Sequence, residues 1–316
     1  LFSEWKLARD GFGEGLIELG KEDPRVVVLG ADLSDSTRAL WFKEKYPERF
    51  FSFGIAEQNM LGAAAGLSMG GKIPFVCTYG VFLSGRAWDQ IRTTICYSNL
   101  NVKMGGAHGG ISVGPDGATH QALEDCALLR VLPGMTLVVP CDYHETKKAT
   151  IAIGKMYGPA YIRFGREKTP VITTPETPFE LGKAVVFREG VDLTLIANGY
   201  MMSQCLLAAE ELAKDGISAR VINLHTLKPL DRETIVRAAR ETGAIVTAEE
   251  HQLIGGLGAA VAEVVAAECP VPVAMIGIND TFGESGSPEE LLELHGLAAG
   301  NVAETARKLL ARKPNR

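Results

Sequence analysis

The run IPFVCTY, residues 73–79, decides the fold. It is of strand length and almost wholly apolar, without the polar alternation of a half-exposed strand, which marks a strand covered on both faces of a parallel sheet. VVVLGA (26–31) lies upstream, and NVKMGGA (101–107), TLVVP (136–140) and AYIRFG (160–165) follow. Segments of helix length separate the first of these strands, one around Ala56 to Met69 and one from Arg86 to Ser98. Strands alternating with helices predict a doubly wound α/β layer. EKTPVITTPETPFELG (167–182) then breaks the pattern with prolines and threonines and no periodicity, so it reads as a linker. DLTLIANG (192–199), a helix ending at Gly216, SARVINLHTLKPL (218–230), AIVTAEE (244–250) and PVAMIGI (272–278) repeat the alternation. The sequence therefore predicts two α/β domains, at 1–168 and 183–316, joined by a linker at 169–182, with the second the smaller.

Composition narrows the function. Apolar residues make up 46% of the 316-residue chain and charged residues 22%, a globular profile. A net charge of −6 without a basic block argues against nucleic acid or an anionic membrane as partner. No apolar run reaches the roughly 18 residues of a membrane span, and the opening residues lack the pattern of a secretion signal, so a cytoplasmic protein is expected. The six cysteines are scattered without a Cys-x-x-Cys pair and read as reduced, buried apolar residues.

Several stretches could carry chemistry. In FGIAEQNM (53–60), Glu57 enters a segment, LGAAAGLSMGG, that reads as buried. A buried ionised carboxylate costs several kcal/mol unless paired or protonated, although a Glu at a helix start also suits the helix dipole. AHGGISVGPDGATHQALED (107–125) joins His108, Asp116 and His120 to glycines that permit close backbone approach, an arrangement suited to a polyhydroxylated ligand. The two histidines have no third clustered ligand, so a metal site is not expected there. KLARDGFG (6–13) and AYIRFGRE (160–167) offer Arg9, Arg163 and Arg166, which bind phosphate only if the fold brings them together. Tyr79 and Phe82 are either core or a platform for an aromatic ring. HQLIGGLGAAV (251–261) loosely suggests a phosphate turn but lacks the dinucleotide fingerprint, and reads as a structural turn.

In order, GADLSDS, FGIAEQNMLGAAAGL, PFVCTYGVF and HGGISVGPDGATHQ resemble the carboxyl-terminal half of transketolases, and the resemblance covers essentially the whole chain. It implies a pyrimidine-binding domain followed by the family's C-terminal domain, and a thiamine-diphosphate enzyme moving a two-carbon ketol unit between sugar phosphates. It implies that Glu57 hydrogen-bonds the cofactor's aminopyrimidine and promotes the tautomer that removes the thiazolium proton. Phe82, with Tyr79 beside it, would pack on the pyrimidine, and Asp32 would line the cofactor side of the pocket. His120, counted as catalytic with Glu57, and Asp116 would read sugar hydroxyls. Arg9, Ser36, His108 and Arg166 would bind phosphate.

This chain departs from the family pattern at Gly85, where a second pyrimidine-stacking aromatic is usual. It also shows no Gly-Asp-Gly segment with a following Asn, the family's ligands for Mg²⁺ and diphosphate. The resemblance thus implies one half of a split enzyme, whose partner chain supplies the diphosphate-binding domain and the metal ligands, with two copies of each chain. A deoxyxylulose-phosphate synthase, a 2-oxo acid dehydrogenase β subunit and a non-catalytic assembly subunit remain as alternatives.

Overall fold

The computed structural model describes residues 2–312. The strand Ile73–Tyr79 is buried along its whole length and lies inside a seven-stranded sheet. The sheet runs Thr226–Lys228, Thr136–Val138, Ala160–Phe164, Lys103–Ala107, Ile73–Tyr79, Val26–Gly30, Phe50–Ser52. All neighbours are parallel except the first pair. That antiparallel edge strand, Thr226–Lys228, comes from the second half of the chain, which the alternation of the first half could not announce.

From Val26–Gly30 the chain steps outward to Phe50–Ser52, then returns across to Ile73–Tyr79. The reversal opens a crevice at the carboxyl ends of Val26–Gly30 and Ile73–Tyr79, where open parallel sheets bind ligands. Close packing explains the glycines of the next strand. A Cβ on Gly105 would lie 2.5 Å from the Phe12 ring, and one on Gly106 would lie 2.0 Å from the Tyr161 hydroxyl.

The second sheet is five-stranded, in the order Val273–Ile278, Ile245–Gln252, Leu193–Ala197, Ala219–Asn223, Val185–Arg188, with only the last pair antiparallel. A two-stranded ribbon pairs Trp5–Leu7 with Lys168–Pro170 and sets Leu7 opposite Lys168. Arg9 stands two residues after Leu7 and Arg166 two residues before Lys168, both beyond the same end of the ribbon, so the ribbon draws the two arginines together.

Two sequence readings are corrected. The helix Glu57–Met69 is buried on one face only: Met60, Leu61, Ala64 and Ala65 face the core, while Gln58, Asn59, Gly62, Gly66 and Met69 are exposed. Its glycines have nothing near their absent side chains, so small residues there leave an open surface instead of a packed one. The expected helix from Arg86 to Ser98 is replaced by two π-helical turns, Phe82–Arg86 and Gln90–Cys96. Five of the six cysteines are buried and all are free. Among the described residues no helix is long and apolar enough to cross a membrane.

Candidate active site

Glu57 is the first residue of its helix and is 3% exposed. The carboxylate is paired: Arg86 Nη1 donates to its Oε1 at 3.1 Å and to Oε2 at 3.3 Å. Arg86, about half exposed, belongs to the π-helical turn that begins at Phe82, and its guanidinium carbon lies 4.0 Å from the centre of the Phe82 ring. Gln58 Nε2 donates to the Arg86 carbonyl at 3.0 Å and ties the turn to the helix. Of the two remedies for a buried carboxylate, pairing is the one the fold uses, through an arginine the sequence reading passed over. Its position four residues after Phe82 was the available signal.

Phe82 opens onto a cluster of rings. Tyr79 lies 5.8 Å away and nearly parallel, His120 presents its edge at 5.3 Å, and His108 stacks on Tyr79 at 3.9 Å. His108 holds a left-handed backbone (φ 58°) at the end of the strand Lys103–Ala107, is almost fully buried, and leaves Nδ1 without a partner. Burial first, then the nearby positive charges of Arg9 and Arg166, push its pKa down to about 3, so the ring is neutral at ordinary pH. The His120 Nδ1 is 2.9 Å from the Thr119 hydroxyl.

Beyond the rings the site turns positive. Arg9 Nη1 donates to the Ser36 carbonyl at 3.2 Å while its buried Nε has no partner. Burial, then the charge of neighbouring Arg38, lowers the Arg9 pKa. Arg166 donates to the Val113 carbonyl at 3.0 Å and to the Asp116 carboxylate at 3.2 Å. The unpartnered Arg9 Nε and His108 Nδ1, with Arg166 close by, leave a positive corner with spare polar atoms.

The fold thus brings together Glu57, Tyr79, Phe82, His108, His120, Asp116, Arg9, Arg166 and the backbone of Ser36. Asp32 follows the strand Val26–Gly30 with a left-handed backbone (φ 59°) and an exposed side chain, and takes no partner from the cluster. Arg163 is structural: its Nε pairs with the buried Asp125 at 3.0 Å, and its Nη2 donates to the carbonyls of Ala122 and Glu250. The 251–261 turn likewise serves the fold. Glu249 accepts from the amides of Leu257 and Gly258, at 2.6 and 2.8 Å, and fills the helix start where a phosphate would otherwise sit.

The chain matches the family pattern of the transketolase pyrimidine-binding domain over residues 7–171 and that of the transketolase C-terminal domain over residues 182–302. It belongs to the transketolase family. A putative transketolase C-terminal section of Methanocaldococcus jannaschii is 46% identical over 95% of each chain. A 6-deoxy-6-sulfo-D-fructose transketolase subunit of a Clostridium species (strain MSTE9) is 43% identical over 96% of this chain and 95% of its own. A solved split-gene transketolase, described as an inactive β4 tetramer, superposes with a TM-score of 0.92 at 50% identity, covering 98% of this chain and 99% of that one.

Family membership implies use of thiamine diphosphate. The residues fit its ring half: a buried carboxylate and an aromatic face stand side by side at the sheet crevice. Among the described residues one group could hold a metal, Asp125, Cys126 and His251, but two of its members are committed. Asp125 receives Tyr161 and Arg163, and His251 Nε2 accepts the Ala127 amide at 3.3 Å.

Proposed function

We propose that this chain is the pyrimidine-binding and C-terminal subunit of a two-chain transketolase. It would act with a partner chain to transfer a two-carbon ketol unit from an anionic ketose, in the first instance a ketose phosphate, to an aldose phosphate. The observation that carries the reading is the continuity of the site: the buried Glu57, the Phe82 and Tyr79 rings, the two histidines and the Arg9–Arg166 corner lie in sequence along one crevice. The near end suits an aromatic heterocycle and the far end suits an anion, with donors for hydroxyls between.

When bound, thiamine diphosphate supplies the carbon that attacks the substrate carbonyl and the electron sink for carbon–carbon cleavage. This chain positions the reactants and manages protons. The Glu57 carboxylate would hold the cofactor's pyrimidine by accepting a hydrogen bond from its protonated ring nitrogen, a bond that the buried setting strengthens. Phe82 would pack on the ring with Tyr79 supporting it, and Asp32 would line the cofactor side of the pocket. His120 and Asp116 hydrogen-bond the sugar hydroxyls, and His120 is placed to hold or pass a proton there. His108, neutral and with Nδ1 unused, adds a hydrogen bond without adding charge. Arg9 and Arg166 grip the anionic end, with Ser36 holding Arg9.

The diphosphate and Mg²⁺ would be held by a partner bearing the diphosphate-binding domain, in an assembly of two copies of each chain. Support comes from relatives, matched almost end to end, that are a C-terminal section and a subunit. The test is to mix the chain with that partner, thiamine diphosphate and Mg²⁺ and to follow conversion of a ketose phosphate with an aldose phosphate. Turnover of pyruvate and none of the sugars would overturn the proposal.

A further inference from the structure

We infer that Glu250, in the second domain, is a positioning residue for the first domain's substrate loop, fixing the Ile111–Asp116 stretch whose Val113 carbonyl and Asp116 carboxylate hold Arg166. The inference rests on the reading of residues 108–121 as the loop that meets the sugar.

That loop is fastened at both ends by the second domain. At its start, the Glu250 carboxylate accepts the Ser112 amide at 2.9 Å. Ser112 is the second residue of the 3₁₀ turn Ile111–Asp116, so Glu250 caps the turn from another domain, where an acidic group is favoured. The fit is close. Gly110 has φ +99°, and a Cβ there would lie 2.8 Å from a Glu250 carboxylate oxygen. At the loop's end, the Gln252 amide donates to the Leu123 carbonyl at 2.8 Å, and Gln121 Nε2 donates to the carbonyls of Ile111 and Glu284 at 3.2 and 2.9 Å. Arg163 joins the two domains by donating through one nitrogen to the carbonyls of both Glu250 and Ala122.

Ser112 and Glu250 are both buried, 4% and 5% exposed, so removing the carboxylate strips a buried amide of its protein acceptor. The 3₁₀ turn then loses the contact that fixes its start. The stretch supplies both of the Arg166 contacts made within the loop, the Val113 carbonyl next to Ser112 and, after a backbone break at Gly114 (φ 78°, ψ −119°), the Asp116 carboxylate. Loosening the turn moves the anion-binding arginine and the hydroxyl-binding aspartate together. The Phe82–Tyr79 pair, which lies outside the loop, keeps its geometry, while His108 and His120, which lie in the loop and pack on those rings, shift with it.

The test uses the full chain and its complex with the partner. Glu250→Ala should raise KM for the ketose phosphate by about ten- to a hundredfold, from the worth of a charged hydrogen bond. Thiamine diphosphate affinity, set by Glu57 and the Phe82–Tyr79 pair outside the loop, should stay within about threefold. Glu250→Gln, which keeps an oxygen acceptor for the Ser112 amide, should restore most of the KM. In the chain without ligands, hydrogen exchange of residues 108–121 should speed up in Glu250→Ala while the Val26–Gly30 strand keeps its protection. Should the alanine variant fail to fold, Glu250→Asp, one methylene too short to reach, serves in its place. An unchanged KM with unchanged loop exchange would overturn the inference, and so would a loss of kcat and cofactor affinity at constant KM. If the wild-type complex turns over no sugar phosphate, the proposed function fails, and the exchange measurement alone decides the role of Glu250.

Discussion

Replacing Arg86 by alanine removes the partner of a carboxylate that is 3% exposed, and the structure sets the size of the effect. A hydrogen bond to a charged group contributes about 1.5–3 kcal/mol, but Arg86 is about half exposed and solvent screening reduces this to roughly 1–2 kcal/mol. Loss of the guanidinium from the Phe82 face adds about 0.5–1 kcal/mol. The sum, roughly 1.5–3 kcal/mol, corresponds to a fall in Tm of about 3–12 °C at the 2–4 °C per kcal/mol usual for a unit of 150–250 residues. Thermal unfolding of the chain without partner or cofactor measures it. The double variant Glu57→Gln/Arg86→Ala replaces the stranded charge by a neutral amide, so it should recover the ion-pair part of the loss, with a coupling energy of about 1–2 kcal/mol in the double-mutant cycle. A Tm for Arg86→Ala within 1 °C or so of wild type, or a coupling near zero, would refute the view that Arg86 is what makes the buried Glu57 tolerable.

Three further outcomes follow from the site. In the assembled complex Glu57→Ala should abolish turnover while leaving assembly intact by size-exclusion chromatography; wild-type turnover would remove Glu57 from the chemistry. Arg9→Ala and Arg166→Ala should each raise KM for a phosphorylated ketose by about ten- to a hundredfold, with little change for an uncharged donor; equal effects on both substrates would place these arginines outside the anion site. The pKa of His108, pushed down to about 3, lies below its unfolded value of about 6.5. Between those values the unfolded chain binds the extra proton, so the stability tied to a neutral His108 is complete above about pH 6.5 and is lost as pH falls towards 3. His108→Asn should flatten the acid limb of the stability curve over that window, and an unchanged limb would contradict the buried, neutral assignment.

The first sheet was legible because IPFVCTY, VVVLGA and their neighbours are continuous apolar runs, a pattern that parallel strands under helices impose. The strand Thr226–Lys228 was not legible in its place. Three residues carry no period, and their pairing with Thr136–Val138 is set by packing between the two halves of the chain. The open face of the Glu57–Met69 helix was misread because small apolar residues look alike whether packed or exposed; only the empty space beside Gly62 and Gly66 tells them apart. In the site, the motif segments marked Glu57, His108, Asp116 and His120, while the convergence of Arg9 and Arg166 needed the ribbon that pairs Leu7 with Lys168. Arg86 and Glu250 escaped notice for a common reason. Each acts through a partner distant in sequence, Glu57 29 residues away in one case and Ser112 138 residues away in the other.

The proposed cofactor site is one that this chain would build only in half. Its most direct test is a calorimetric titration of thiamine diphosphate and Mg²⁺ into the chain alone, into the diphosphate-binding partner alone and into their mixture, repeated with Glu57→Gln. Saturable, tight binding in the mixture, absent from this chain by itself and weakened by the substitution, is the predicted result. Equal affinity for this chain alone, or a mixture indifferent to the residue at position 57, would contradict it.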